Sequence, residues 1–95
     1  MEKKENQNEV LPILDFSSIV LPFFTQALIK LGKMENPTTQ KMEENLEFAK
    51  RLIDLLDLLK KKTEGNLTQQ EKEFLDSSIY QLRMAYMEKV KIIKL

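Results

Sequence analysis

Residues 63–71, TEGNLTQQE, set the fold of this 95-residue chain because they end one helix and begin another. Gly65 tolerates the left-handed backbone conformation that closes many helices. Thr68 and Glu71 match a capping box, in which each side chain accepts a hydrogen bond from the other residue's backbone N–H. The stretch therefore predicts that the helices on either side of it form an antiparallel hairpin.

The helix before this turn is predicted from about residue 42 to residue 63, because apolar residues recur there on one helical face. That face comprises Phe48, Ala49, Leu52, Ile53, Leu55, Leu56 and Leu59. Charged residues occupy the other side, where Asp57 and Lys61 stand four apart in the order that favours an ion pair. Leu58 is the one large apolar residue among those charges, and we expect it to assist contacts with another chain.

The helix after the turn is predicted over residues 69–92, and it carries two apolar stripes where an ordinary surface helix carries one. The stripe expected in the core comprises Phe74, Leu75, Ile79, Leu82, Tyr86 and Val90. Tyr80, Met84 and Met87 form the second stripe, because spacings of four and three residues place side chains along one line. We expect these three residues, with Leu58, to contact an identical chain or a partner helix; three unrelated surface positions are the alternative.

The first helix is predicted over residues 16–31, capped by Asp15 or Ser17 and ended by Gly32. Its broad apolar face comprises Phe16, Val20, Phe23, Phe24, Ala27, Leu28 and Leu31. Pro22 leaves two alternatives, a helix bent at this position or a later start with Pro22 as the first helical residue.

The rest of the chain is polar or rich in turn-forming residues. Residues 1–14 are expected to be a flexible N-terminal arm, because the first nine are almost wholly polar. Residues 33–40 include Asn36 and Pro37 and have the composition of a connector. Residues 15–95 are therefore predicted to form a single helical domain.

The composition excludes several classes of function. The 15 basic and 15 acidic residues cancel, which removes the general attraction to phosphate on which most nucleic-acid binders depend. The chain has neither Cys nor His, so disulfides and the commonest acid-base catalyst are absent. Its two glycines are explained as helix terminators, which leaves no phosphate-binding loop. We expect no enzyme activity, no cofactor, no metal and no nucleic-acid partner.

Membrane insertion is not expected either. The longest uncharged run, residues 16–29, has 14 residues, short of the roughly 18 or more that a spanning helix requires. The N-terminus mixes acidic and basic residues, unlike a secretory signal. These features predict a cytoplasmic protein without a membrane span.

Two charged clusters suggest a site but have simpler explanations. Asp54 and Asp57 carry oxygens that suit a divalent cation, but the flanking Lys50 and Lys61 favour an ordinary solvated face. The basic run of residues 60–62 lies in the last turn of a helix, where cations oppose the helix dipole. Three charges are also too few for a polybasic membrane signal.

Arg83 is a candidate anion clamp because a guanidinium suits carboxylate and phosphate geometry. A contact with Asp76, Gln81 or Glu88 is the simpler interpretation. Tyr80, Arg83 and Asp76 together define an alternative function, a small enzyme or ligand-binding protein whose site is shared between subunits.

Several short motifs point to a family. They are Asp15-Phe16-Ser17, Ala27-Leu28-Ile29 with Leu31-Gly32, Ile53-Asp54-Leu55-Leu56, Lys62-Thr63, Gly65-Asn66-Leu67-Thr68 with Glu71, Tyr80, Leu82-Arg83-Met84 and Tyr86. With them the chain resembles a family of short bacterial proteins known as domain of unknown function 1844. The resemblance covers residues 15–86 and implies a bacterial helical protein, without a known activity or active-site residues.

The sequence thus predicts an all-α, three-helix domain with a C-terminal antiparallel helical hairpin. Its wide apolar faces exceed what one three-helix unit hides, which predicts a homo-oligomer. The favoured function is a non-catalytic interaction or assembly module, with an unidentified protein partner as the alternative to self-association.

Overall fold

The computed structural model describes residues 14–94, with side chains described as far as Lys91, and these residues form three α-helices and no β-strand. The helices are α1 (Phe16–Lys30), α2 (Leu46–Lys62) and α3 (Gln69–Lys94). Each helix packs against both others. The prediction of an all-α fold with three helices is confirmed. The predicted N-terminal arm lies outside the described residues except for Leu14, which is 92% exposed.

Asp15 is the residue that caps α1. Its side chain accepts a hydrogen bond from the backbone N–H of Ser18, and the Ser18 hydroxyl accepts one from the Asp15 N–H. Ser17, the other predicted cap, donates its hydroxyl to the same carboxylate at 2.7 Å. Pro22 lies inside the helix, so the alternative of a start at that residue is wrong. Gly32 follows the helix with a φ of +74°, as expected of a terminator.

The connector between α1 and α2 is longer than the sequence predicts. The predicted start near residue 42 is wrong, because α2 begins at Leu46. Asn45 caps it, and the Asn45 backbone N–H also donates to the carbonyl of Lys30 at 2.7 Å. Upstream, Asn36 and Lys41 form an isolated antiparallel bridge. These contacts hold residues 41–45 in a non-helical path, which the helical spacing of apolar residues does not reveal.

The turn between α2 and α3 has the predicted chemistry. The Thr68 N–H donates to Glu71 Oε1 at 2.9 Å, and the Glu71 N–H donates to Thr68 Oγ1 at 3.1 Å. Gly65 has a φ of +85°. Thr63 closes α2 by donating its hydroxyl to the Leu59 carbonyl at 2.8 Å. The capping box and the left-handed glycine are both confirmed.

One hydrophobic core lies among the three helices. Its buried residues are Val20, Ala27, Leu31, Ala49, Leu52, Ile53, Leu56, Leu75, Ile79 and Leu82. Every helix contributes, so none of the three could leave without exposing apolar side chains. The side of α3 that faces this core is therefore fixed by Leu75, Ile79 and Leu82.

Candidate assembly surface

The second apolar stripe of α3 lies on the surface. Tyr80, Met84 and Met87 are 65%, 52% and 55% exposed. At about 100° per residue, their mean direction is about 140° away from that of the buried residues of the same helix. The stripe therefore faces away from the core of its own domain.

This stripe is the centre of a longer line of residues that the sequence analysis missed. Adding exposed residues at the same alternating spacing of four and three extends the line to Glu73, Ser77, Tyr80, Met84, Met87 and Lys91. We call these six residues the outer seam. The spacing is that of the a and d positions of a coiled coil. The other members follow from the sequence by counting from Tyr80 three and then four residues toward the N-terminus, and four, three and four residues toward the C-terminus.

The outer seam has polar ends of opposite charge. Glu73 lies toward the N-terminus of α3, where it accepts a hydrogen bond from Gln69 at 2.9 Å. Lys91 lies at the other end. Within residues 14–94, neither of the two takes part in an ion pair. The seam therefore presents an acid, an apolar centre and a base in chain order.

Arg83 lies beside the seam and contacts α2. Its Nη2 atom is 3.5 Å from Asp57 Oδ2, so the predicted partners Asp76, Gln81 and Glu88 are wrong. The same pair corrects the prediction that Asp57 pairs with a lysine of its own helix. Both side chains stay partly exposed, so the pair contributes little to stability and mainly offsets charge at the edge of the seam.

Asp76 lies at the other end of the α2–α3 contact and is held by two lysines. Lys60 Nζ is 2.9 Å from Oδ1, and Lys72 Nζ is 3.1 Å from Oδ2. Lys60 first, and then Lys72, lower the pKa of the Asp76 carboxyl below its usual value, which keeps this group ionised.

An open cleft of about 390 Å³ lies between the end of α2 and the start of α3, and Asp76 is among the residues that line it. Lys60, Lys61 and Lys72 line it together with three carboxylates, those of Asp57, Glu64 and Asp76. The three cations balance the three carboxylates in number, and Asp57 and Asp76 are each paired with a cation. The lining of the cleft therefore carries no excess of either charge.

A cation site at Asp54 and Asp57 is likewise not formed by the residues described. Asp54 pairs with Lys50 at 3.0 Å, as the flanking lysines suggested. Within residues 14–94, no three His, Cys, Asp or Glu side chains are grouped to hold a metal ion. In the same range, no helix has the length and apolar character that crossing a bilayer requires.

Leu58 belongs to a different apolar surface. It is 49% exposed and lines a groove between α1 and α2. The groove, of about 220 Å³, is lined by Ile19, Phe23, Leu55, Leu56, Leu58, Leu59 and Lys62. Tyr80, Met84 and Met87 are not among these residues. Leu58 therefore lines this groove, and the three residues of α3 lie along one line of their own helix.

Two ion pairs join α3 to the connector between α1 and α2. Lys33 Nζ lies 2.7 Å from Glu88 Oε1, and Lys89 Nζ lies 3.1 Å from Glu44 Oε2. The Lys33 ammonium lowers the pKa of Glu88 below its usual value. These contacts, which join residues far apart in sequence, help to set the rotation of α3 and so the direction of the outer seam.

The described residues thus form a small all-α domain with an apolar stripe on α3 and an apolar groove between α1 and α2. The chain belongs to the family described as domain of unknown function (DUF1844), whose family model matches residues 13–88. The resemblance inferred from the motifs is confirmed. No curated protein and no solved structure matches the chain significantly.

Proposed function

We propose that this domain is a non-catalytic assembly module that binds a second copy of itself through the apolar centre of the outer seam. One observation carries the proposal: Tyr80, Met84 and Met87 are exposed along one line of α3, on the side away from the core. A contiguous apolar line of this kind is costly to leave in water and is typical of a contact surface.

The side chains suit such a contact. Tyrosine offers a large, rigid surface with a polar tip, and methionine adapts its shape to whatever it meets. Six such side chains become buried when two copies meet, and this loss of exposed apolar surface favours association.

We infer that α2 and α3 form the antiparallel hairpin expected from the turn sequence. The seam then lies on a helix that α2 holds in place. Two ion pairs support this orientation, since Lys60 near the end of α2 meets Asp76, and the earlier Asp57 meets the later Arg83. A helix that is already held by its neighbour loses little conformational freedom when it binds, which favours its use as a contact surface.

The alternative function is a small enzyme or ligand-binding protein with a site built from Tyr80, Arg83 and Asp76. The geometry supports it less well, because Arg83 and Asp76 are each engaged by an oppositely charged residue of the same chain. The cytoplasmic location and the bacterial origin stay predictions.

The test is the mass of the protein in solution over a concentration series. Light scattering and sedimentation from about 1 μM to about 500 μM cover dissociation constants in the micromolar range. We expect the wild type to move from monomer to dimer and the triple variant Tyr80→Gln/Met84→Gln/Met87→Gln to stay monomeric. Circular dichroism checks that the variant is still helical.

Leu58→Gln is the matched control, because it removes a similarly exposed apolar side chain outside the seam. It is expected to leave self-association unchanged. A wild type that stays monomeric throughout the series contradicts the self-assembly proposal. Assembly that survives the triple substitution instead contradicts the assignment to the seam.

A further inference from the structure

We propose that two copies pair α3 against α3 in antiparallel orientation, about a two-fold axis at the level of Leu82. This inference rests on the proposed function and specifies its partner and register. It follows from the order of the residues along the outer seam, which is symmetric in position about residue 82.

The position of the axis fixes which residues meet. Residues equally far from position 82 face each other across a two-fold axis, because residue i then contacts residue j and j contacts i. Tyr80 and Met84 are two positions away, Ser77 and Met87 are five, and Glu73 and Lys91 are nine. Each side chain of the seam therefore has a defined partner in the second copy.

Each of these pairs is chemically matched. Tyr80 meets a methionine of the second copy, and thioether–aromatic contacts are favourable. The long Met87 side chain meets the small Ser77, so a large residue fills the space beside a small one. At both ends Glu73 meets Lys91 of the second copy, which gives two ion pairs per dimer.

Other arrangements of the same seam lose these matches. A parallel pair places Glu73 opposite Glu73 and Lys91 opposite Lys91, so like charges meet at both ends. Moving the antiparallel register by one heptad places Tyr80 opposite Lys91, or Glu73 opposite Met84, so that a charge is apposed to an apolar side chain. Charge complementarity therefore selects the register centred on residue 82.

The residues beside the axis are consistent with this register. Arg83 is next to position 82, so the two guanidinium groups approach each other in the dimer. Asp57 lies 3.5 Å from Arg83 within each copy and offsets that repulsion. The Asp57–Arg83 pair, which contributes little to the stability of the monomer, thus reduces the repulsion between the two arginines of the dimer.

The α1/α2 groove does not provide an equivalent contact. Inserting the seam of one copy into the groove of the next joins two different surfaces. Such head-to-tail contacts form closed rings or open filaments. Masses above that of a dimer that grow with concentration are the outcome that would overturn the α3–α3 arrangement in favour of the groove.

Cross-linking tests the register directly, because the chain has no Cys and any introduced thiol is unique. Ser77→Cys and Met87→Cys variants are mixed and treated with a short bis-maleimide linker. We expect a covalent dimer in the mixture and little in either variant alone, since identical positions lie about 15 Å apart along the helix axis in this register. Cross-linking of each variant with itself overturns the antiparallel arrangement.

Charge reversal is a second test that leaves the apolar centre intact. Glu73→Lys and Lys91→Glu are each expected to raise the dimer dissociation constant roughly tenfold, because two attractive pairs become repulsive. The double variant Glu73→Lys/Lys91→Glu restores both pairs and is expected to return to within about threefold of the wild type. A parallel dimer predicts no change in either single variant.

These results separate the two proposals. A wild type that dimerises and loses dimerisation in the triple Gln variant, but fails both register tests, keeps the assembly function and overturns the register. A wild type that is monomeric at every concentration overturns both.

Discussion

Lys30 Nζ and Glu43 Oε1 lie 2.7 Å apart, and this ion pair ties the last turn of α1 to the connector that follows it. Asn36 Nδ2 donates to the other oxygen of the Glu43 carboxylate at 3.0 Å. The Lys30 ammonium also lies 5.0 Å from the centre of the Phe48 ring at the start of α2. Lys30, and after it Asn36, hold the pKa of Glu43 below its usual value. Lys30 therefore links the end of α1 both to the connector and to the start of α2.

Replacing Glu43 by Gln is expected to lower the urea midpoint of unfolding, because the Lys30 ammonium loses its counter-charge while the shape of the side chain is kept. The slope of the transition should not change, since the core is untouched. Glu35→Gln, which changes an exposed acid of the same connector, is the control and should leave the midpoint where it is. Equal midpoints for the two variants would show that the connector gains nothing from this pair.

Acid is expected to destabilise the fold below about pH 4, near the pKa of carboxyl groups in unfolded chains. The folded-state pKa values of Glu43 and Asp76 are lowered, chiefly by Lys30 and Lys60 respectively. Their contribution to the free energy of unfolding is therefore complete above the unfolded pKa and is lost as pH falls through the folded values. The chain has no His, so stability should be nearly constant between about pH 5 and pH 8.

Urea unfolding at a series of pH values measures this dependence. Asp76→Asn removes one of the shifted carboxyls, so its stability should fall less steeply in acid than that of the wild type. A transition centred near neutral pH would contradict the assignment to carboxylates.

Gly65→Ala is expected to reduce the free energy of unfolding by about 1 kcal/mol, because a Cβ is strained at positive φ. Apart from Gly65 itself and its two chain neighbours, no residue has an atom within 4 Å of the position that this Cβ would occupy, so crowding adds nothing. Gly65→Asn should cost less than Gly65→Ala, since asparagine adopts the left-handed conformation more readily. Chemical denaturation of the three proteins checks the order, and a reversed order of the two variants would contradict the strain account.

Leu82→Ala is expected to cost about 2–5 kcal/mol, because Leu82 is fully buried and its truncation leaves a cavity. Met84→Ala, two residues further on and 52% exposed, should cost less than about 1 kcal/mol when measured at concentrations where the protein is monomeric. Denaturation of both variants at low concentration tests the orientation of α3. A large loss in Met84→Ala would place the outer stripe in a core instead.

The sequence predicted the ends of the helices best where a few neighbouring residues set the local hydrogen bonds. Thr68 and Glu71 cap α3 as expected, and Gly65 takes the expected left-handed conformation. The start of α2 was predicted too early because Asn45 is held by the carbonyl of Lys30, which is 15 residues away. Residues 41–45 lie in a non-helical path because of contacts with residues distant in sequence, which local sequence patterns do not reveal.

The amino-acid sequence by itself determined that the chain forms three helices, where the turn between α2 and α3 lies, and which residues of α3 share a line. These features depend on backbone hydrogen bonds and on side-chain period, both of which are local. Only the tertiary structure decided that Asp57 meets Arg83, that Leu58 lies with Ile19, and that the Tyr80 stripe faces outward. Those outcomes depend on how the helices rotate against one another, and that rotation is set by buried contacts and ion pairs between residues distant in the chain.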